Sequence, residues 1–452
     1  MKDRMIDQLK TDINITGVAE NLTWWSVIVG PKASNFGYRK SITIDHTKIN
    51  ADLTNFPVLV DITDSDLQNN VLQAKGNDIA FVNSDHTVQY NHEIELYNST
   101  NGHLVAWVNV TLVSSTIDTT FYIYYGNSTC ANQENKQDVW DSNYLMVQHL
   151  QEDGTGTRSD STSNGNDGTP TNYDGDEATS SGKINGADNL DGTNDWINIS
   201  SGTELLNLSS SSGSFFTWIK TSTSEKTVMS KSTDDEIGQP GDILLKISAN
   251  KLFLFVEGGS GIGGTDLTGT TSVTDNTWHY VGFTYNKITE TFNLYVDGQL
   301  ENTSSYSMNG YNTWPVALGV FSFHIPVPED WFHFDGTIDE VCISNIERNV
   351  SWINASYQNQ NAPSTFLRTG DQESENQVYF NITVKNTGSI TLETTYFSIL
   401  INGTEYQFTC PHIYLSPRGE VVFTTSTTLT RGEKRVKVIS DNGISGYYKY
   451  NG

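Results

Sequence analysis

The sequence predicts an all-β protein of three β-sandwich or jelly-roll domains, preceded by a short N-terminal helix remnant. Apolar residues recur at every second position between clusters of Gly, Asn, Asp and Ser, which is the pattern of half-buried antiparallel strands. Asp297-Gly298 separates two such runs, and this dipeptide is a strong hairpin signal because type I′ turns need positive φ at both central residues. The exception is residues 1–10, whose apolar side chains share one helical face. At about 150 residues per domain, the 452 residues correspond to about three domains.

The charge balance excludes one large class of partners. Asp and Glu number 53 against 26 Lys and Arg, which leaves a net charge of -27 although only 17% of residues are charged. Nucleic-acid binding needs a basic patch to neutralise phosphates, and the sequence has none. The same balance disfavours anionic membrane surfaces and leaves cations and neutral glycans as candidate ligands.

The composition indicates an extracellular chain. No apolar run is long enough for a membrane span, and residues 1–10 lack the apolar core of a secretion signal, so an export element would have been removed or would lie upstream of Met1. The chain carries twelve Asn-X-Ser/Thr sequons, which are candidate glycosylation sites. They lie at Asn14, Asn21, Asn98, Asn109, Asn127, Asn198, Asn207, Asn302, Asn349, Asn354, Asn381 and Asn402.

The three cysteines are spaced too widely for a zinc site and are odd in number. Cys130, Cys342 and Cys410 therefore predict buried thiols, with one disulfide plus a remaining thiol as the alternative. A chain of this length can bury β cores large enough to fold without a disulfide framework.

Turn-rich joints divide the chain. The stretch 30–37 contains Gly, Pro and Asn, 127–136 is polar and has no strand pattern, 358–364 contains Asn, Gln and Pro, and 369–375 is polar and acidic. The segments between them predict a β-sandwich over 36–142, a jelly roll over 143–369, and end segments 1–35 and 370–452.

The second segment carries six strand-edge motifs in order. They are Gly37-Tyr38-Arg39-Lys40, Asn55-Phe56-Pro57-Val58, Asp78-Ile79-Ala80-Phe81, His92-Glu93-Ile94-Glu95, Trp107-Val108-Asn109-Val110 and Tyr122-Ile123-Tyr124-Tyr125. Together they resemble a domain of unknown function that often precedes lectin-like modules in prokaryotic surface proteins. The resemblance implies a β-sandwich and no activity. Glu93 and Glu95 are two apart on a strand and so share one face, as paired catalytic carboxylates would, although exposed strand residues commonly show the same spacing.

The third segment resembles a LamG-like, concanavalin A-like lectin module. The motifs that carry the resemblance are Val147-Gln148-His149-Leu150, Asp160-Ser161-Thr162-Ser163-Asn164-Gly165, Leu190-Asp191-Gly192-Thr193, Trp278-His279-Tyr280-Val281, Leu294-Tyr295-Val296-Asp297-Gly298 and Ile338-Asp339-Glu340-Val341. Two packed antiparallel sheets of this size suit the alternating pattern.

One loop of this segment has the composition of a calcium site. Calcium takes six to eight oxygen ligands, and 160–168 supplies carboxylates, Asn amides and glycines. The lectin resemblance implies a structural Ca²⁺ held between this loop and the late Ile-Asp-Glu strand, with Asp160, Asn164 and Asp339 as the expected ligands. The alternative is a loop closed by Asx turns, with no ion.

Glycan binding needs aromatic rings beside polar groups. Most tryptophans of the segment lie in alternating runs that predict core positions, whereas Trp331 lies in a loop-like stretch and is the glycan-binding candidate. Glycosidases of this fold use closely spaced carboxylates in an alternating triplet, and no such triplet, HExxH pair or Gly-x-Ser-x-Gly elbow occurs here. We therefore expect no enzymatic activity, with a glycoside hydrolase as the remote alternative.

The two ends of the chain resemble one domain. The runs Val384-Lys385-Asn386-Thr387-Gly388, Ile401-Asn402-Gly403 and Arg435-Val436-Lys437-Val438 are similar to the β-sandwich of archaeal flagellin and the archaellum F and G proteins. Residues 6–18 resemble the end of the flagellin helix and its first strand, so the resemblance implies one discontinuous sandwich into which the other two domains are inserted. The long apolar assembly helix of that family is absent from this sequence.

The sequence thus predicts a non-enzymatic subunit of an archaeal filament or surface appendage that displays a lectin-like module. We expect self-assembly, or assembly with other appendage subunits, on the cell surface. The alternative is a monomeric secreted or cell-surface adhesin that binds glycans.

Overall fold

The computed structural model describes most of the chain and confirms the all-β class. The described residues are 13–20, 36–179, 181–199, 205–232, 240–259, 264–321, 332–374, 377–378, 380–386, 391–410, 414–425, 429–430, 434–439 and 445–450. The predicted helix over 1–10 lies outside them. No helix within these ranges has both the length and the apolar composition needed to cross a lipid bilayer.

A small sandwich follows the first strand of the chain. Its elements, together with that first strand, are β1 (Ile13–Glu20), β2 (Tyr38–Ile44), β3 (Leu53–Thr63), α1 (Ser65–Asn70), β4 (Ala80–Asn83), β5 (Gln89–Tyr90), β6 (His92–Asn98), β7 (His103–Val113) and β8 (Thr119–Tyr125). One sheet has the order β2-β8-β4-β5 and the other β3-β7-β6. The core between the two sheets contains Val58, Phe81, Val108 and Phe121, all fully buried.

The jelly roll follows directly. Its strands are β9 (Tyr144–Gln148), β10 (Thr169–Thr171), β11 (Ala178–Thr179), β12 (Ala187–Asp191), β13 (Trp196–Ile199), β14 (Gly213–Lys220), β15 (Thr227–Lys231), β16 (Asp242–Ser248), β17 (Lys251–Glu257), β18 (Thr265–Ser272), β19 (Trp278–Asn286), β20 (Thr291–Val296), β21 (Gln299–Ser305), β22 (Val316–Leu318) and β23 (Asp335–Ser344). A seven-stranded sheet, β10-β13-β22-β15-β16-β17-β18, packs on an eight-stranded sheet that includes β11-β12-β23-β14-β19-β20-β21, with β9 beside β23. Their inner faces form one large apolar core.

Two helices lead from the jelly roll back to the small sandwich. α2 (Val350–Asn361) begins at Asn349, whose side chain accepts a hydrogen bond from Trp352 N, and α3 (Pro363–Phe366) follows it. The next strands, β24 (Leu367–Thr369) and β25 (Glu373–Ser374), both pair with β2. Residues 367–369, which we predicted to belong to the jelly roll, thus complete a sheet of the small sandwich.

The terminal sandwich contains strands from both ends of the chain. Its later elements are β26 (Gln377–Val378), β27 (Phe380–Asn386), β28 (Leu392–Glu393), β29 (Ser398–Ile401), β30 (Thr404–Tyr406), β31 (Phe408–Thr409), β32 (Tyr414–Leu415), β33 (Glu420–Thr425), β34 (Leu429–Thr430), β35 (Lys434–Ile439) and β36 (Ser445–Tyr450). β1 pairs antiparallel with β27 over Ile13 to Glu20, in a four-stranded sheet of order β1-β27-β33-β31. A second four-stranded sheet has the order β30-β29-β35-β36.

Candidate functional site

The outer face of the seven-stranded sheet exposes aromatic rings. Along β17, Leu252, Leu254 and Val256 enter the core, so the alternation places half-buried Phe253 and Phe255 on the opposite face. Residues that pair directly on neighbouring strands share a face of the sheet. Each ring therefore has one neighbour on β16 and one on β18. The two phenylalanines and their four neighbours, which we call the Phe253 face, are Leu244, Lys246, Phe253, Phe255, Asp266 and Thr268.

Lys246 sets the polarity of this face. Its ammonium lies 5.4 Å from the centre of the Phe253 ring and 5.3 Å from that of Phe332, which are cation–π distances. Asp266 and Thr268 are exposed on the adjoining strand. The face therefore combines ring surfaces, on which the CH groups of a sugar can stack, with a donor and acceptors for its hydroxyls.

A second group of polar side chains is buried between the small sandwich and the jelly roll. Glu93 and Glu95 both extend from β6 to His149 of the jelly roll, so the predicted sharing of a face is observed. His149 Nδ1 lies 3.2 Å from Glu95 Oε1 and 2.9 Å from Glu340 Oε1, and Nε2 lies 3.4 Å from Glu93 Oε2. With Asp339 we call these residues the interdomain carboxylate cluster.

A β-bulge brings two neighbouring acidic residues to the same side of β23. Glu340 has φ 52°, and the pairing of β23 with β14 slips by one residue there. Ile338 and Val341 on either side both enter the jelly-roll core, so Asp339 and Glu340 both face outward. A regular strand would have turned one of the two carboxylates into the apolar core.

Burial dominates the electrostatics of the cluster. Desolvation raises the pKa of Glu95 to about 8, with His149 opposing the shift, and it raises the pKa of Asp339 well above its usual range, with Glu340 adding to it. Burial acts to lower the pKa of His149, but Glu340, Glu95 and Glu93 outweigh it and raise that pKa well above its usual value. The cluster therefore retains protons at neutral pH unless a cation replaces them.

A cavity of 20 Å³ lies beside the cluster between the two domains. Trp107, Tyr144, Arg348 and Trp352 are among the residues that line it. This volume holds about one water molecule. This cavity is therefore too small for a sugar, and the Phe253 face is our candidate glycan site.

Asp160, the first predicted calcium ligand, closes its own loop. Its Oδ1 accepts hydrogen bonds from Val147 N at 3.0 Å and Thr162 N at 2.9 Å. Its Oδ2 accepts from Thr162 Oγ1 at 2.8 Å and Asn166 N at 2.9 Å. This is the Asx-turn arrangement that the sequence offered as the alternative to an ion site.

The other two predicted ligands bind other parts of the backbone. Asn164 Nδ2 donates to Tyr144 O at 3.0 Å and Leu145 O at 3.1 Å, while Asp339 Oδ2 accepts from Ile184 N at 2.9 Å. Three groups of acidic and His side chains in the described ranges are close enough to share a metal ion, and none contains Asp160 or Asp339. Calcium binding by Asp160, Asn164 and Asp339 stays a prediction.

Trp331, the predicted glycan-binding residue, lies outside the described residues. Phe253 and Phe255 were missed because each belongs to an alternating run that equally predicts a core strand. His149 was part of the lectin-like motif but was not identified as a site residue, since nothing local indicates that three carboxylates converge on it.

The sequons differ in accessibility. Asn302, Asn349 and Asn402 are exposed, whereas Asn127 is buried. Asn98, Asn109, Asn198, Asn207 and Asn354 are of intermediate exposure. Asn21 lies outside the described residues, as do the side chains of Asn14 and Asn381. Glycosylation stays a prediction, strongest at the three exposed positions.

Cys130, Cys342 and Cys410 all lie within the described ranges, and none of them forms a disulfide. Burial raises the pKa of the Cys342 thiol to about 12, so that thiol stays protonated and unreactive.

Two family models match parts of the chain. Residues 191–354 match the concanavalin A-like lectin/glucanases superfamily (Laminin_G_3), and residues 75–176 match a domain of unknown function (DUF2341). Neither match includes the ends of the chain. No curated protein sequence matches this chain.

Solved structures show distant similarity. Domain 4 of AbnA, a GH43 extracellular arabinanase from Geobacillus stearothermophilus, in complex with arabinotriose, is 19% identical, with 47% of this chain and 96% of that chain covered and a TM-score of 0.35. The Ruminococcus gnavus IT-sialidase CBM40 bound to α2,3 sialyllactose is 15% identical, covering 32% and 82%, with a TM-score of 0.28. The botulinum neurotoxin serotype G binding domain is 12% identical, covering 68% and 88%, with a TM-score of 0.37.

The family match confirms the predicted lectin-like module. It covers the central strands of both jelly-roll sheets, including the Phe253 face. The match supports a domain over residues 191–354 that is similar to the concanavalin A-like lectin/glucanases superfamily.

Proposed function

We propose that this protein is an extracellular glycan-binding adhesin whose jelly roll binds carbohydrate on the Phe253 face. The observation that carries the proposal is the pair of half-buried rings on β17, within the concanavalin A-like region and beside Lys246. Ring stacking and directed hydrogen bonds are the two interactions by which proteins hold neutral sugars.

The charge of the chain favours neutral or weakly charged glycans. At a net charge of -27, polyanionic polysaccharides would be repelled, and Lys246 is the basic group of the Phe253 face. We therefore assign neutral oligosaccharides as the ligand class.

No catalysis is included in this proposal. Glu93 and Glu95 are held at the domain interface, where the adjacent cavity has room for about one water molecule. A glycoside hydrolase would need its carboxylate pair open to a saccharide. Release of reducing sugar from a polysaccharide panel would contradict the non-enzymatic assignment.

A glycan array probed with the full chain tests the binding proposal. We expect binding to neutral oligosaccharides that is lost in the Phe253→Ala/Phe255→Ala double variant. Tyr414→Ala is the matched control, because Tyr414 is a 63% exposed aromatic residue of the terminal sandwich. Equal binding by the wild type and the double variant, or no binding to any glycan, would overturn the proposal.

The filament-subunit function is the second candidate. Its support is the pairing of β1 with β27, which joins both chain ends in one sheet, the arrangement that the resemblance to archaeal flagellin implies. Electron microscopy with sedimentation analysis distinguishes the two candidates. Filaments would favour the appendage subunit, and a monomer would favour the adhesin.

A further inference from the structure

The interdomain carboxylate cluster contains more negative charge than its histidine can neutralise. Three carboxylates, those of Glu93, Glu95 and Glu340, contact one imidazole, and Asp339 is a fourth buried carboxylate next to Glu340 in the chain. The side chains of Glu95, His149 and Glu340 are 0 to 3% exposed. Lys183, a nearby basic residue, places its ammonium over the Trp218 ring and donates to Asn361. Buried charge of one sign is costly unless protons or a cation neutralise it.

His149 Nδ1 lies close to three carboxylate oxygens, although it carries at most one proton to donate. His149 Nδ1 has Glu340 Oε1 at 2.9 Å, Glu340 Oε2 at 3.0 Å and Glu95 Oε1 at 3.2 Å. A single N–H is directed at one acceptor, whereas a metal ion can bind several ligands at once. Ligand atoms of Glu95, His149 and Glu340 all lie within 4.8 Å of one another.

Two buried carboxylate oxygens of the cluster have no hydrogen-bond partner among the described residues. They are Glu95 Oε2, on a side chain that is 0% exposed, and Asp339 Oδ1, on a residue that is 0% exposed. A buried acceptor without a partner costs about 1 to 3 kcal/mol, so it usually marks a missing ligand or water. This observation is independent of the distances around Nδ1.

The opposite ring nitrogen has the partner that a metal-bound histidine requires. His149 Nε2 faces Glu93 Oε2, and Glu93 is fixed in turn by Ser161 Oγ at 2.6 Å and Trp140 Nε1 at 3.2 Å. Metal-bound histidines almost always donate their other N–H to a carboxylate, carbonyl or water. Trp107 Nε1 likewise donates to Glu95 Oε1.

We propose that Glu95, His149 Nδ1 and Glu340 bind a divalent transition-metal ion that joins the small sandwich to the jelly roll. For metal–ligand bonds of about 2.0 to 2.2 Å, neighbouring ligand atoms are about 2.8 to 3.1 Å apart in octahedral geometry and about 3.3 to 3.6 Å apart in tetrahedral geometry. The distances of 2.9 to 3.2 Å around Nδ1 lie close to the octahedral range. Calcium is disfavoured because its ligands are oxygen atoms and an imidazole nitrogen stands at the centre of this site. The ion is structural, since its ligands come from both domains and the rings of Trp107 and Trp140 cover His149.

Zinc binding by the full chain tests this site. The protein is stripped with a chelator, loaded with Zn²⁺, desalted and analysed by mass spectrometry for metal content. We expect one tightly held zinc ion per chain, a higher thermal midpoint after loading, and an X-ray absorption spectrum with one imidazole among oxygen ligands. Absence of retained zinc in the wild type would overturn the proposal.

Variants locate the ion. Glu95→Gln and Glu340→Gln remove ligands from opposite domains and should abolish zinc retention, while Glu93→Gln should weaken zinc affinity about ten- to 100-fold. His279→Asn is the matched control, because His279 also contacts two carboxylates, Asp275 and Asp297, away from the cluster. Zinc retention by folded Glu95→Gln protein would assign the ion to another site and contradict the proposal.

Discussion

The side-chain amide of Asn359 makes both hydrogen bonds of the Leu59 backbone. Leu59 N donates to Asn359 Oδ1 at 2.7 Å, and Asn359 Nδ2 donates to Leu59 O at 2.9 Å. Leu59 lies in β3, the outer strand of the sheet β3-β7-β6, and Asn359 lies in α2, which follows the jelly roll. One amide thus pairs with the outer strand as a neighbouring strand would, and it ties the two domains together.

Replacing Asn359 should destabilise the protein. Asn359→Ala leaves one buried N–H and one buried C=O of Leu59 without partners, and each costs about 1 to 3 kcal/mol. We expect a loss of about 2 to 4 kcal/mol in the free energy of unfolding, measured by urea denaturation. The control Asn361→Ala changes an exposed residue of the same helix and should cost about 0.5 kcal/mol or less. Equal losses in the two variants would contradict the role of Asn359.

A buried ion pair in the jelly roll should be costly to break. Arg158 Nη2 lies 2.7 Å from Asp188 Oδ1, and both side chains are 0% exposed. Arg158→Met leaves Asp188 as a buried unpaired charge, so we expect a loss of about 3 to 5 kcal/mol in urea denaturation. The matched control is Lys385→Met, which breaks the exposed pair with Glu420 and should cost about 1 kcal/mol or less. A small loss in both variants would refute this prediction.

Acid should weaken the small sandwich through His92. Burial lowers the pKa of His92 from 6.5 to about 4, because the ring is fully buried and packs against Phe81. The unfolded chain therefore binds a proton between pH 6.5 and 4 that the folded chain does not, so this contribution to stability is complete above pH 6.5 and is lost as pH falls toward 4.

Substituting His92 should make the free energy of unfolding less dependent on pH in the acid range. The wild type should lose about 3 kcal/mol of unfolding free energy through His92 between pH 6.5 and 4, and we expect His92→Phe to remove this loss. Urea denaturation at several pH values measures it. Identical pH slopes for His92→Phe and the wild type would show that His92 does not titrate in this way.

Asn349 is both the N-cap residue of α2 and the asparagine of a sequon, so its structural role can be tested apart from glycosylation. Asn349 Oδ1 accepts a hydrogen bond from Trp352 N at 2.9 Å. In protein made without glycosylation, Asn349→Ala should lower stability by about 1 kcal/mol, while Asn349→Asp retains a capping oxygen and should match the wild type in thermal unfolding. If the two variants behave alike, the cap does not stabilise the helix.

Local sequence patterns were sufficient to predict the strands and the all-β class of the protein. The alternation along residues 251–257 predicts a strand with two faces because successive strand residues point to opposite sides. The motif Ile338-Asp339-Glu340-Val341 indicated the lectin-like module and a role for Asp339. It did not indicate that Glu340 would face the same way as Asp339, because a β-bulge depends on how two strands register.

The sequence by itself determined the all-β class, the alternation along strands such as β17 and the lectin-like module. These depend on residues close together in the chain, where side-chain period and turn chemistry act. Only the tertiary structure decided that Asn359 pairs with Leu59 and that Glu95, His149 and Glu340 meet. Such contacts depend on how separate sheets pack, and the burial that gives them their chemistry exists only once both domains have folded against each other.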